Sequence, residues 1–226
     1  MSTPNGALNS PNNDCCDSRS SDKPAIDSLN SEKVAILSCS GSQHSPKLID
    51  RKVRELEVET QILPLNTSAK ELLKEQYKAI IIAGGPGSVF AEDSLPYDKD
   101  IFTIGIPVLG IGYGFQMINN HFGGSVGECK EEHKDSAQLT ITVDSQNPLF
   151  SNLDSQQKVL QATGVTVSKV ADGFEVVGKS ENVIFAIANV EKKLYGVQFY
   201  PENDLSTNGK EMLKNFLFNV ASLSGN

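Results

Sequence analysis

Residues 107–116, PVLGIGYGFQ, run from an apolar stretch directly into a segment of helical pattern. A strand-to-helix turn of this kind lifts its central side chain off the sheet edge and sets backbone N–H groups beside it. That is how a nucleophile elbow attacks a carbonyl carbon and holds the resulting oxyanion. The central residue here is Gly112, which has no side chain to attack with. A sharp turn with positive φ suits glycine, and another residue there stores about 1–3 kcal/mol of backbone strain. Glycine therefore suits the turn and offers no covalent route at this position. Three further groups are placed for chemistry. Residues 198–202, QFYPE, carry a phenol at Tyr200 and a carboxylate at Glu202. A phenol, with an ordinary pKa of about 10, is a weak general base at neutral pH, and an aromatic ring late in such a fold commonly fills space. GGPGS at 84–88 follows an Ile-rich run; its N–H groups, with that of Tyr113, suit either an anion-binding nest or a tight turn. Cys39, with His44 close by, lies in the loop after the first apolar run and is the candidate replacement thiol, though it would approach at a different angle from an elbow residue.

Other chemistries find little footing. Gly110, Gly112 and Gly114 are spaced G-x-G-x-G, not G-x-G-x-x-G, and GGPGS lacks the Lys-Ser/Thr ending of a phosphate-binding P-loop. No His, Cys and carboxylate cluster has metal-ligand spacing, so neither a metal nor a cofactor is expected. The formal net charge of −8 over 226 residues leaves no basic stripe for nucleic acid or an anionic membrane. No apolar run nears the roughly 20 residues needed to span a bilayer, and the first residues lack the apolar core of a signal peptide. Cys15, Cys16, Cys39 and Cys129 have neither disulfide-framework density nor metal pairing, and a reducing, cytosolic setting is the expectation.

The elements that must position these groups follow from hydrophobic period. Residues 1–32 are rich in Ser, Asn, Asp and Pro and read as a disordered tail ahead of one domain, 33–226. Short apolar runs at 34–37, 61–65 and 79–83 read as strands. Residues 47–56 put Ile49, Val53 and Leu56 on one helical face, and 69–76 reads as a second helix. After a helix over 114–122 come strands at 138–143, 159–162, 174–179, 183–189 and 194–199. A last helix over 209–223 carries Met212, Phe216, Leu217 and Val220 on its apolar face, with Asn208 and Glu211 as its start signal. Strands alternating with helices imply an α/β fold with a mostly parallel central sheet and helices on both faces. Ligands bind such sheets at the carboxyl ends of the strands, so the loops after Leu37, Ala83, Ile111 and Phe199 should meet.

From about Lys33 to Leu223 the order of segments resembles the glutaminase domain of GMP synthetase, a class I glutamine amidotransferase. IDRKVREL, GGPGSV and QFYPE carry the likeness together, along with VAIL, GGSV and VADGF. The resemblance implies the flavodoxin-like class I amidotransferase fold. It also implies a Cys at the elbow, where this chain has Gly112, and a His before Pro-Glu, where it has Tyr200. Glu202 matches the carboxylate that orients that His. Gly84, Gly85, Tyr113 and Gln116 match the oxyanion and substrate pocket. His-Gly-Asp of the family is replaced by Thr163, Gly164 and Val165, and Val165 cannot pair with a substrate ammonium group.

The expectation is thus a GMP synthetase-type domain without glutaminase activity, with a structural, regulatory or partner-binding role in purine and GMP biosynthesis. By the same resemblance its partner would be a synthetase ATP-pyrophosphatase domain or chain, whose S-G-G-x-D-S loop has no match in these residues. Two other readings stay open: an active amidotransferase using Cys39 or another nucleophile, and a sensor holding glutamine or a small anion in the retained nest.

Overall fold

Alternation within the Ile-rich strands decides which side of the sheet each residue faces, and both sides are apolar. The computed structural model describes residues 32–39, 45–84, 95–128, 138–162 and 165–224; the expected tail lies outside them, apart from Glu32. The first half runs β1 (Lys33–Ser38), α1 (Ser45–Arg54), β2 (Glu59–Pro64), α2 (Ala69–Lys74), β3 (Ala79–Ile82), a 3₁₀ turn (Lys99–Phe102), β4 (Val108–Ile111) and α3 (Tyr113–His121). The second half runs β5 (Ser125–Glu128), β6 (Gln138–Val143), β7 (Gln156–Leu160), β8 (Val165–Lys169), β9 (Glu175–Ser180), β10 (Val183–Asn189), β11 (Leu194–Val197) and α4 (Gly209–Asn215), which continues as a π-helical turn (Phe216–Val220).

Nine strands form one sheet in the order β2-β1-β3-β4-β11-β10-β9-β6-β7. From β2 to β11 the neighbours are parallel; from β11 onward they are antiparallel. The parallel half is the expected doubly covered core, and the antiparallel wing extends it. Val34, Ile36, Ile81, Leu109, Ile111, Tyr195 and Val197 face α1 and α4, packing on Ile49, Val53, Met212 and Phe216. Their neighbours Ala35, Leu37, Ile80, Ile82, Val108 and Leu194 face α2 and α3, packing on Leu72, Tyr113, Met117 and Ile118. Full burial on both faces is what makes these strands read as unbroken apolar runs.

Three details depart from the sequence reading. β5 and β8, which were not anticipated, pair antiparallel as a small second sheet. Asn208 stands at the start of α4 but makes no capping hydrogen bond; its Nδ2 donates to Gln157 Oε1 instead, at 2.9 Å. The last helix is α-helical only to Asn215 before its wider final turn. Among the described residues no helix is long and apolar enough to cross a membrane.

Candidate functional site

One residue joins β4 to α3. Gly112 takes φ 58° and ψ −106°; its N–H donates to Val197 O at 2.9 Å and its carbonyl accepts from Gln116 N at 3.2 Å. The glycines on either side of it serve a different purpose. A Cβ on Gly110 would stand 2.4 Å from the carbonyl of Gly114, and one on Gly114 would stand 2.8 Å from Ile82 Cβ. These two are small because α3 lies directly on the sheet. A Cβ on Gly112 would meet nothing nearer than Ala162 Cβ at 3.5 Å, Gly84 Cα at 3.8 Å and Tyr200 Cε1 at 3.9 Å, all ordinary contacts. The turn has room for a side chain at 112, and only the positive φ disfavours one.

The carboxyl ends of the parallel strands converge here, as expected. Gly84 follows β3, and the direction of its absent Cβ leads to the Tyr200 ring, with Cε1 3.4 Å from where that Cβ would stand. Tyr200 is fixed from both sides of its backbone: its N–H donates to Leu160 O at 2.9 Å, and its carbonyl accepts from Ser206 Oγ at 2.6 Å. One carbon of the phenol ring thus stands within contact distance of where a side chain at 84 or at 112 would begin. Glu202 is buried, and its Oε1 accepts from Ser45 Oγ at 2.5 Å. Burial pushes this carboxyl up to about 7, and the Ser45 bond opposes that only in part. Glu202 Oε2 has no hydrogen-bond partner among the described residues.

Cys39 also reaches this edge but is not poised to react. Its Sγ is buried and donates to Ala83 O at 3.4 Å, and burial pushes the thiol up to about 12. A nucleophilic cysteine needs the thiolate, which this environment suppresses, and that counts against Cys39 as the attacking group. Tyr113 heads α3, where first-turn N–H groups lack intrahelical acceptors. Gln116 is buried one turn further on. Val165 opens β8 and pairs with Glu128. Gly85 and the rest of GGPGS, His44, Cys15, Cys16, Cys129, His133, Thr163 and Gly164 lie outside the described residues. Among the described residues no group of three His, Cys, Asp or Glu could hold a metal ion.

Sequence reasoning missed Ser45 and Ala162. Ser45 precedes a proline at a helix start, which reads as punctuation; only the fold brings it to Glu202. Ala162 carries no chemical signal at all.

The strand-to-helix turn at Gly112, at the carboxyl edge of a mostly parallel sheet, places the chain among α/β domains whose ligands bind at that edge. A model of the class-I glutamine amidotransferase family matches residues 42–220. The chain belongs to that family. It is 46% identical over 198 residues to a Caenorhabditis elegans protein named as a glutamine-hydrolysing GMP synthase, covering 86% of this chain and 26% of that one. A GMP synthase of Dictyostelium discoideum is 40% identical over 214 residues, covering 88% and 30%. The chain thus spans between a quarter and a third of the length of these curated relatives. Among solved structures, a Thermoplasma acidophilum protein described as one of the subunits of a GMP synthase superposes with TM-score 0.75 at 25% identity, covering 84% of this chain and 94% of that one. A Thermotoga maritima glutamine amidotransferase shares the fold, with TM-score 0.66 at 19% identity over 85% of this chain and 98% of that one.

Proposed function

We propose that this chain is a GMP synthetase-type amidotransferase domain that no longer hydrolyses glutamine. On this reading it serves purine nucleotide synthesis in the cytosol as a structural or regulatory partner of an ATP-pyrophosphatase domain or chain. The observation that carries the reading is the pair at the centre of the site: no side chain at 112, and a phenol ring at 200 whose Cε1 stands 3.9 Å from where a side chain at 112 would begin. Amide hydrolysis by the thiol route requires a nucleophile within hydrogen-bond reach of a base, and neither a thiol at 112 nor an imidazole at 200 is there to supply the pair. Losing a single member of such a unit costs on the order of 10⁴–10⁶ in kcat, and losing a second adds little. The partner is argued from the relatives, which are named as GMP synthases and extend well beyond the matched part.

The test is direct. Purified protein is incubated with glutamine, and glutamate and ammonia are measured. The expected result is no turnover above background, with Gly112→Cys combined with Tyr200→His giving measurable hydrolysis. Wild-type turnover abolished by Cys39→Ala would overturn the reading.

A further inference from the structure

A groove beside α3 takes no part in the reading above. Tyr113, Met117, Asn120 and His121 recur at i, i+4, i+7 and i+8, which puts them on one side of the helix. Opposite them runs the stretch from Leu95 to Lys99, where Leu95, Tyr97 and Lys99 alternate toward the same space. Together they line a cavity of about 330 Å³, at the small end of the range for organic ligands.

The walls of this cavity are fixed by their own contacts. Tyr97 OH meets His121 Nδ1 at 3.4 Å, and Tyr113 OH accepts from Leu95 N at 3.3 Å. Phe102 buttresses both rings from behind, with centroids 5.9 Å from Tyr97 and 4.9 Å from His121. Among the described residues the electrostatics are one-sided. Among the described residues Lys99 is the one formally charged side chain in the lining, within a chain of net charge −8. Burial, and then Lys99 itself, hold His121 below the usual imidazole range, which disfavours its cationic form. Of the two acids that flank Lys99, Asp98 is turned to backbone, accepting from Ala69 N at 2.8 Å and Asp100 N at 3.1 Å. Asp100 is exposed.

We propose that this cavity binds a small planar organic anion, an aromatic carboxylate in chemical class, with its ring between Tyr97 and Met117 and its carboxylate on Lys99 and Asn120. Aromatic edges and a thioether make favourable contacts with a flat ring. An ammonium and an amide N–H at the mouth supply charge-assisted and neutral donors to a carboxylate, while a cationic ligand would meet Lys99. Of the oxyanion and substrate positions the described lining contains Tyr113, and none of Gly84, Gly112, Gln116 or Tyr200, so binding here can be read separately from glutamine turnover.

The experiment titrates the isotope-labelled full chain with benzoate, and separately with benzamide as its uncharged counterpart, following chemical shifts. Benzoate is expected to shift signals of Tyr97, Met117 and His121 saturably and to bind more tightly than benzamide. Lys99→Gln should weaken benzoate about fivefold and leave benzamide unchanged. Asn120→Trp should block the mouth to both. Lys99 and Asn120 are exposed, so these variants keep the fold. Any of three results would overturn the proposal: no saturable shift at these residues at millimolar benzoate, equal affinity for both probes, or a Lys99→Gln variant that binds benzoate like wild type.

Discussion

Glu202 is a buried carboxylate held by a hydrogen bond at one of its two oxygens. Ser45 holds one oxygen, the other has no partner among the described residues, and burial raises the group from an ordinary 4.5 to about 7. A raised carboxyl stabilises the fold fully below the unfolded value, and that contribution is lost as pH rises through the folded one. Stability should therefore decline between about pH 4.5 and pH 7, by about 3 kcal/mol at most. Glu202→Gln should remove that slope, visible as a difference between the two urea-denaturation profiles against pH. The buried Cys39 makes a second prediction. In the native state it should react with iodoacetamide at least about a hundredfold more slowly than after unfolding, measured by mass spectrometry. Gly112 and Tyr200 were legible in sequence as site positions because each sits inside a short motif, PVLGIGYGFQ and QFYPE. The contact between them was not, since no spacing rule relates a turn after β4 to one after β11.

At the scale of elements, the α3 seat is a floor of glycines. Gly110 and Gly196 lie side by side in the β4–β11 ladder, and Phe115 would meet a Cβ on Gly196 at 2.5 Å. Gly110→Ala and Gly114→Ala should each destabilise by about 3 kcal/mol or more, because a new methyl would overlap backbone or a packed Ile. Gly112→Ala should cost only about 1–2 kcal/mol, the strain of its φ. Urea midpoints of the three variants test that ranking; equal costs would refute the distinction between seat and socket. Asn119, fully buried on α3, ties the small β5–β8 sheet to the helix. It donates to Ser125 O at 3.2 Å and Lys169 O at 3.0 Å, and accepts from Ala171 N at 2.8 Å. Asn119→Ala should cost about 3 kcal/mol by orphaning those groups, read from the same midpoints. This sheet escaped the sequence because its strands are short, carry Ser125, Gly127, Thr166 and Ser168, and pair across a long separation that no local pattern announces.

For the whole molecule, the parallel half of the sheet carries the site and the antiparallel wing braces it. Gln161 bridges to Phe199, and Ala162 N donates to Gln198 O at 3.0 Å, so the wing supplies Ala162 to the wall beside Gly112. A partnered synthetase gives a prediction at this scale. Joined to the ATP-pyrophosphatase part of a related GMP synthase, the chain should support GMP formation from ammonium but not from glutamine. Gly112→Cys with Tyr200→His should restore a part of the glutamine-dependent rate. Coupled assays with each nitrogen source would read this out, and glutamine-dependent synthesis with the unaltered chain would count against the proposal.

Sequence alone determined the alternation of strands and helices, the edge of the sheet where a site must lie, and the identity of the residues at its centre. It could do so because hydrophobic period and turn chemistry are local and written in neighbouring residues. Tertiary structure alone decided that the socket at 112 is open, that the Tyr200 ring faces it, that Ser45 holds Glu202 and that Cys39 is sealed in the core. Those facts depend on burial and on distances between segments far apart in the chain, which only packing sets.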